Sequence, residues 1–242
     1  MKVGNMLKLN FFGAFMIVTF AVISVSGGKT KTGEYKNGVL TDQQFGYTMT
    51  IPDNWRVKTL DEPSIERALF LKRNYEINRT IKDLGGEFTI PEISVFARPD
   101  SLTPAAFLEQ LKIEVASHKS ADNIISQLDL ITTGEFSMMQ QTMIDSVPTI
   151  QAIFKKNYSR KLEVDPNDAR YRQYGGLLVQ NEWLVNEIYI LSHKGRLFVI
   201  QTFAEREFYP MNREEFRKIV GSLKFIDLVQ TTPAATETPA GK

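Results

Sequence analysis

The chain has no cysteine. That excludes disulfides, thiolate metal sites and cysteine nucleophiles, so whatever folds here is held by its core. Histidine is scarce: His118 and His193 are the only two. Neither stands at a spacing that pairs it with a second metal ligand, and no metal site or cofactor can be named. A Ser-His-Asp triad would have to take its base from these two. Ser192 and His193 are adjacent, and adjacent residues of a strand point to opposite faces, so they form no nucleophile–base pair. Gly85-Gly86 and Gly175-Gly176 lack the spacing of a phosphate-binding loop and read as loops. Asp165 and Asp168 lack the closing Glu of a calcium loop. An excess of one charge is also missing. There are 29 basic and 28 acidic residues, and removing the two lysines of the first 28 positions leaves 27 against 28. No basic field is available for nucleic acid.

One long hydrophobic run is present, at the start. Lys2 and Lys8 lead into an apolar stretch from Leu9 to Val25, closed by Ser24, Ser26, Gly27 and Gly28. This layout predicts a signal peptide over 1–28 and an exported, periplasmic or extracellular protein. The alternative is an uncleaved N-terminal anchor, the only case that brings membrane contact. Residues 29–40, "KTKTGEYKNGVL", are polar and read as a linker with a turn at Asn37-Gly38. Residues 229–242 hold too little apolar surface to offset ordering and read as a disordered tail. The folded domain is then 41–228.

Within it, short strands are expected at Tyr47–Ile51, 68–73, 91–99 and 147–159, with a hairpin over 181–204 turning at His193-Lys194-Gly195. In the second arm of that hairpin Leu197, Val199, Gln201 and Phe203 alternate with Phe198, Ile200 and Thr202. Both faces are largely apolar, which predicts a sheet covered on both sides. Two helices are marked. Thr103 caps the first and Pro104 opens it, with Leu108, Leu111 and Val115 as its buried stripe. The second is read from an Asn212 cap, with Glu215 three residues on and Phe216, Ile219, Val220 and Leu223 as the stripe. The fold class is α+β: an antiparallel sheet of about six or seven strands covered by helices.

"FGYTMTIPDNWRV" (45–57) places a Trp directly after a Pro-Asp-Asn turn. Pro52 ends the strand by removing a donor, Asp53-Asn54 turn, and Trp55 returns a large ring to the core. With the closing "LFVIQTF" strand and the helix ending "IVGSLKF", this opening resembles the PsbP-like superfamily, which includes PsbP, Mog and DcrB-type exported domains. The resemblance covers roughly 40–60 and 195–226. It implies a PsbP-like α/β/α sandwich in which the Trp packs on the core. Its motifs are structural, and no active site carries over.

One stretch combines charge with aromatics. Residues 154–176 interleave Lys155, Lys156, Arg160, Lys161, Arg170 and Arg172 with Tyr158, Tyr171 and Tyr174. Arg and Tyr are favoured at interfaces. Read as a loop between strands, this segment is the candidate partner-binding site, through Arg160, Arg170, Tyr171, Arg172 and Tyr174. The bland reading is a solvated loop whose tyrosines pack onto the sheet. The functional expectation is a non-enzymatic exported accessory or interaction protein with an envelope protein partner. A hydrolase with an unidentified site and a small-ligand carrier are the alternatives.

Overall fold

The computed structural model describes residues 31–77, 79–85, 89–128, 130 and 134–227. The segments read as signal peptide (1–28) and tail (229–242) lie outside them, as does Gly86. The strands are β1 (Glu34–Lys36), β2 (Val39–Asp42), β3 (Tyr47–Thr50), β4 (Trp55–Thr59), β5 (Glu66–Lys72), β6 (Glu92–Pro99), β7 (Gly134–Ile144), β8 (Val147–Glu163), β9 (Leu177–His193), β10 (Arg196–Glu205) and β11 (Lys224–Phe225). The helices are α1 (Arg79–Asp83), α2 (Pro104–Ser117), α3 (Tyr171–Tyr174) and α4 (Tyr209–Gly221).

Seven strands form the central sheet, in the order β4-β5-β6-β10-β9-β8-β7, every pair antiparallel. Its middle strand shows why both faces had to be apolar. Phe198 and Ile200 enter one core with Tyr47 and Met49 of β3 and Phe216, Ile219 and Val220 of α4. Leu197 and Val199 enter a second core with Phe107, Leu108 and Leu111 of α2 and with Phe154 and Ile188. The α+β class and the covered sheet are as the sequence reading has them. The hairpin turn is Lys194-Gly195, both at positive φ, the geometry that matches the twist of its strands.

One covering layer differs from expectation. The opening strand β3 does not join the large sheet. It belongs to a separate four-stranded sheet, β1-β2-β3-β11, which lies with α4 over one face. Of the stretch 29–40, expected as a linker, 29 and 30 lie outside the described residues, and the rest supplies part of that sheet. Lys31 bridges to Asp61, β1 and β2 pair, and Asn37-Gly38 make the positive-φ turn between them. A few anchors suffice: Leu40 and Thr32 are buried, and Thr32 accepts the Leu60 N–H through its hydroxyl at 2.9 Å. The polar composition of this stretch concealed its backbone pairing.

The Pro-Asp-Asn turn therefore carries the chain from one sheet to the other. The Trp55 N–H closes it on the Pro52 carbonyl at 3.0 Å. Trp55 is fully buried, with its ring 5.9 Å from that of Phe216. Its indole N–H donates to Glu215 at 3.0 Å, and the same carboxylate takes Asn54 at 2.7 Å and the Lys72 ammonium. Burial alone would raise the Glu215 carboxyl. The donors outweigh it and hold Glu215 below the ordinary carboxylate range.

Helix α2 starts as read: the Thr103 hydroxyl accepts the Ala106 N–H at 3.2 Å, and Pro104 follows. Helix α4 starts one turn earlier than read. Tyr209 and Pro210 occupy its first turn, where a missing N–H does no harm. Asn212 is not a cap. It is buried inside the helix, where it donates to the Phe208 carbonyl and accepts from Lys72, both at 2.8 Å.

Candidate interaction surface

Strands β8 and β9 pair from Thr149–Leu191 to Glu163–Leu177 without a register shift. β7 follows β8 only as far as Lys156, and β10 follows β9 only as far as Leu184. Beyond those points, residues 157–163 and 177–183 pair with each other, and among the described residues their one further backbone bond is at the base, where the Trp183 carbonyl accepts the Arg206 N–H at 2.6 Å. Seven residues of strand extend about 24 Å, so the sheet carries a two-stranded arm. Residues 164–176, with α3, form its tip. The segment expected to be a loop from Lys155 to Tyr174 is thus strand as far as Glu163. Its alternation is polar, and a solvated ribbon buries too little to show an apolar period.

The arm has two unlike faces. On one, Leu162 and Gln180 are buried, as is Val164 just past the strand. On the other, Ser159, Lys161, Glu163, Leu177, Val179 and Asn181 are all exposed. Val179 is 53% exposed and Leu177 44%, unusual for apolar residues of a paired strand.

The proposed binding residues do not form one cluster. Arg160 sits mid-strand, paired with Gln180, on the face opposite Val179. Arg170, Tyr171, Arg172 and Tyr174 are together at the tip, on α3 and the residue before it. Arg170 is committed internally. Its Nε and Nη2 grip Asp168 at 2.8 and 2.5 Å, and Asp83 lies 3.8 Å from Nη1. The Arg170 hydrogen bonds pull the Asp168 carboxyl down to about 2. Arg170 therefore stiffens the tip. Arg172 is exposed, Tyr174 is half-buried, and Tyr171 is 38% exposed. The Tyr171 ring lies over Gly176, where a Cβ would meet it at 3.0 Å, so a glycine at positive φ is needed there.

A second feature escaped the sequence reading. Glu187 is completely buried on β9 and accepts the Tyr209 hydroxyl at 2.6 Å. Tyr189 stands two residues on, and its oxygen accepts the Gln151 amide at 3.2 Å, while the Gln151 carbonyl accepts from Gln140 of β7. Arg217 stands 3.8 Å from the other Glu187 oxygen. Beside this chain lies a groove of about 330 Å³ lined by Gln140, Gln151, Tyr189 and Arg217. Burial, then Glu187, raises both phenols far above their ordinary value, so they stay protonated. The chain fastens α4 to the sheet. A glutamate inside the apolar run "LVNEIYIL" was the available signal. Among the described residues no three His, Asp or Glu are grouped to hold a metal ion, and no helix is long and apolar enough to cross a membrane.

The architecture is an antiparallel sheet with a helix layer on one face and a mixed layer on the other, an α+β class. It is similar in shape to several solved structures. Cyanobacterial PsbP (CyanoP) from Synechocystis sp. PCC 6803 matches with a TM-score of 0.46 and 12% identity, over 77% of this chain and 91% of that one. LpqN, involved in cell envelope biogenesis of Mycobacterium tuberculosis, matches with a TM-score of 0.41 and 11% identity, over 83% and 91%. A mutant of the protein Mog1 matches with a TM-score of 0.39 and 10% identity, over 83% and 97%. No family model and no curated protein matches the chain.

Proposed function

We propose that this chain is a non-enzymatic, exported accessory protein that binds an envelope protein partner through its arm. The observation that carries the reading is the ribbon 157–163/177–183, which leaves the sheet and keeps one face and its tip in solvent. Such a ribbon contributes little to the core, so its length calls for another purpose. The basic n-region, apolar run and small residues of the first 28 positions support export. At the tip, Tyr171 and Tyr174 offer apolar area with few rotors to freeze, and Arg172 offers a forked donor for a carboxylate. Arg160 adds charge along the shaft.

The test is a double variant, Arg160→Ser and Arg172→Ser, at two exposed positions that leave the Arg170–Asp168 pair in place. It should leave the melting temperature within about 2 °C of wild type, as expected for exposed sites. It should also lose the protein recovered with the wild-type chain by affinity capture from the envelope fraction. Undiminished capture by the folded variant overturns the reading.

A further inference from the structure

The central sheet has two edges, and the protein treats them differently. At one edge, β4 is five residues long and carries Arg56 and Lys58. The Lys31–Asp61 bridge lies just past its end. Short length and charge are the usual means of keeping an edge from pairing. At the other edge, β7 runs for eleven residues and pairs only with β8. From Glu135 to Gln141 it is exposed without a break. It contains no Pro, Lys or Arg, and Glu135 is its one charge. Apolar side chains stand out on it: Phe136, Met138, Met139 and Met143 are 43, 39, 49 and 59% exposed. A bulge between Phe136 and Met138 leaves Met138–Ile144 as the flat part. Among the described residues, nothing pairs with its outer side.

We propose that β7 is a self-association edge, at which two copies of the chain pair β7 against β7, antiparallel, around a two-fold axis near Met139. The occupant follows from charge and register. A strand added here must be long and neutral, because a charge set opposite the methionines would lose water without gaining a partner. The stretch Phe136–Ile144 is itself long and neutral, and so is its own complement. With the axis at Met139, Glu135 of each copy falls opposite Met143 of the other, and no like charges meet. A two-fold axis perpendicular to the sheet also keeps like faces together. The α2-side groove of about 480 Å³, lined by Pro104, Met143, Pro148 and Ile150, then lies within reach of Phe136 from the second copy. That ring stands edge-on to Phe154 and under the Lys112 ammonium, and is 43% exposed. The pairing is closed: it consumes the β7 edge of each copy, and the body of the joined sheet then ends on the protected β4 strands, so assembly through this edge stops at two.

The absence of cysteine makes the test clean, since a single introduced thiol can cross-link only to another copy. The full chain recovered from cells is treated with a short bis-maleimide. Met139→Cys is expected to give a cross-linked dimer. Met211→Cys, on α4 and 70% exposed, is expected to give none at the same concentration. In sedimentation, the wild-type chain is expected to pass from one-chain to two-chain mass as concentration rises. Met139→Lys, which sets two ammonium groups across the axis, should move that transition by more than about tenfold in concentration while melting like wild type. A one-chain mass at every concentration overturns the proposal and leaves the edge to an extended segment of another protein. Equal cross-linking at both cysteines, or an unmoved transition in a folded Met139→Lys variant, overturns it as well.

Discussion

The ladder between β8 and β9 has one register from end to end, yet its halves live in different surroundings. In the near half, Ala152, Phe154, Ile188 and Ile190 are buried against α2, while Tyr189 and Leu191 are buried on the other face. In the far half the same two strands have no third strand beside them, and one face is exposed from the Ser159–Asn181 pair to the Glu163–Leu177 pair. Backbone pairing is equal in both. What separates body from arm is the presence of covering layers. An isolated hairpin is marginal in water. The arm persists because it continues a stabilised ladder, and because Leu162, Val164 and the Arg170–Asp168 pair hold its covered face and tip.

That contrast is broken most directly inside the near half. Ile188 is fully buried between the sheet and α2. Ile188→Ala removes three carbons from a close-packed site and leaves a cavity, at a cost of about 2–5 kcal/mol. Chemical denaturation monitored by the tryptophans measures it. A cost below about 1 kcal/mol would show that the near half is no better packed than the arm.

The next effect lies where the body is tied across its layers, a tie for which the arm has no counterpart. Glu215 on α4 accepts from Asn54, Trp55 and Lys72, which lie at the switch from one sheet to the other and on β5. Glu215→Ala leaves those donors without their acceptor and should cost about 1–3 kcal/mol. The sign with pH is fixed. The folded carboxyl lies below its ordinary range, so its stabilising share is present above that range and fades as pH falls through the folded value. The gap in melting temperature between wild type and variant should therefore close on acidification. A gap independent of pH would assign the loss to packing alone.

How much was legible follows from the same physics. Trp55, the two-faced β10 and the Thr103-Pro104 start of α2 were readable because each rests on a local rule: a turn, an alternation, a cap. Two things were hidden. The stretch 31–42 is polar, yet backbone pairing makes it sheet, and pairing leaves no trace in composition. The arm beyond 159 and before 181 was read as a loop because 160–163 has no apolar face to give a period. The partner-site residues were visible as residue types. That Arg160 lies mid-strand while Arg170 is spent on Asp168 depends on where the hairpin turns, thirteen residues of tip that no local rule positions. Glu187 was hidden differently: its hydroxyl partner Tyr209 comes from α4, far along the chain.

The smallest expected effect is the sharpest check on the comparison. Val179 and Ile188 share strand β9, are both β-branched, and are both paired to β8, at Lys161 and Ala152 respectively. Val179 is 53% exposed, and nothing covers its face among the described residues. Val179→Ala loses some strand propensity and little burial, so its cost should stay within about 0.5 kcal/mol. Measured beside Ile188→Ala under the same denaturant, it isolates the covering layer as the variable. A small cost means the face is kept apolar for something outside the folded core, as a binding surface requires. A cost near that of Ile188→Ala would mean that the open face is closed in solution, by another part of the chain or by a second copy, and that the arm belongs to the body after all.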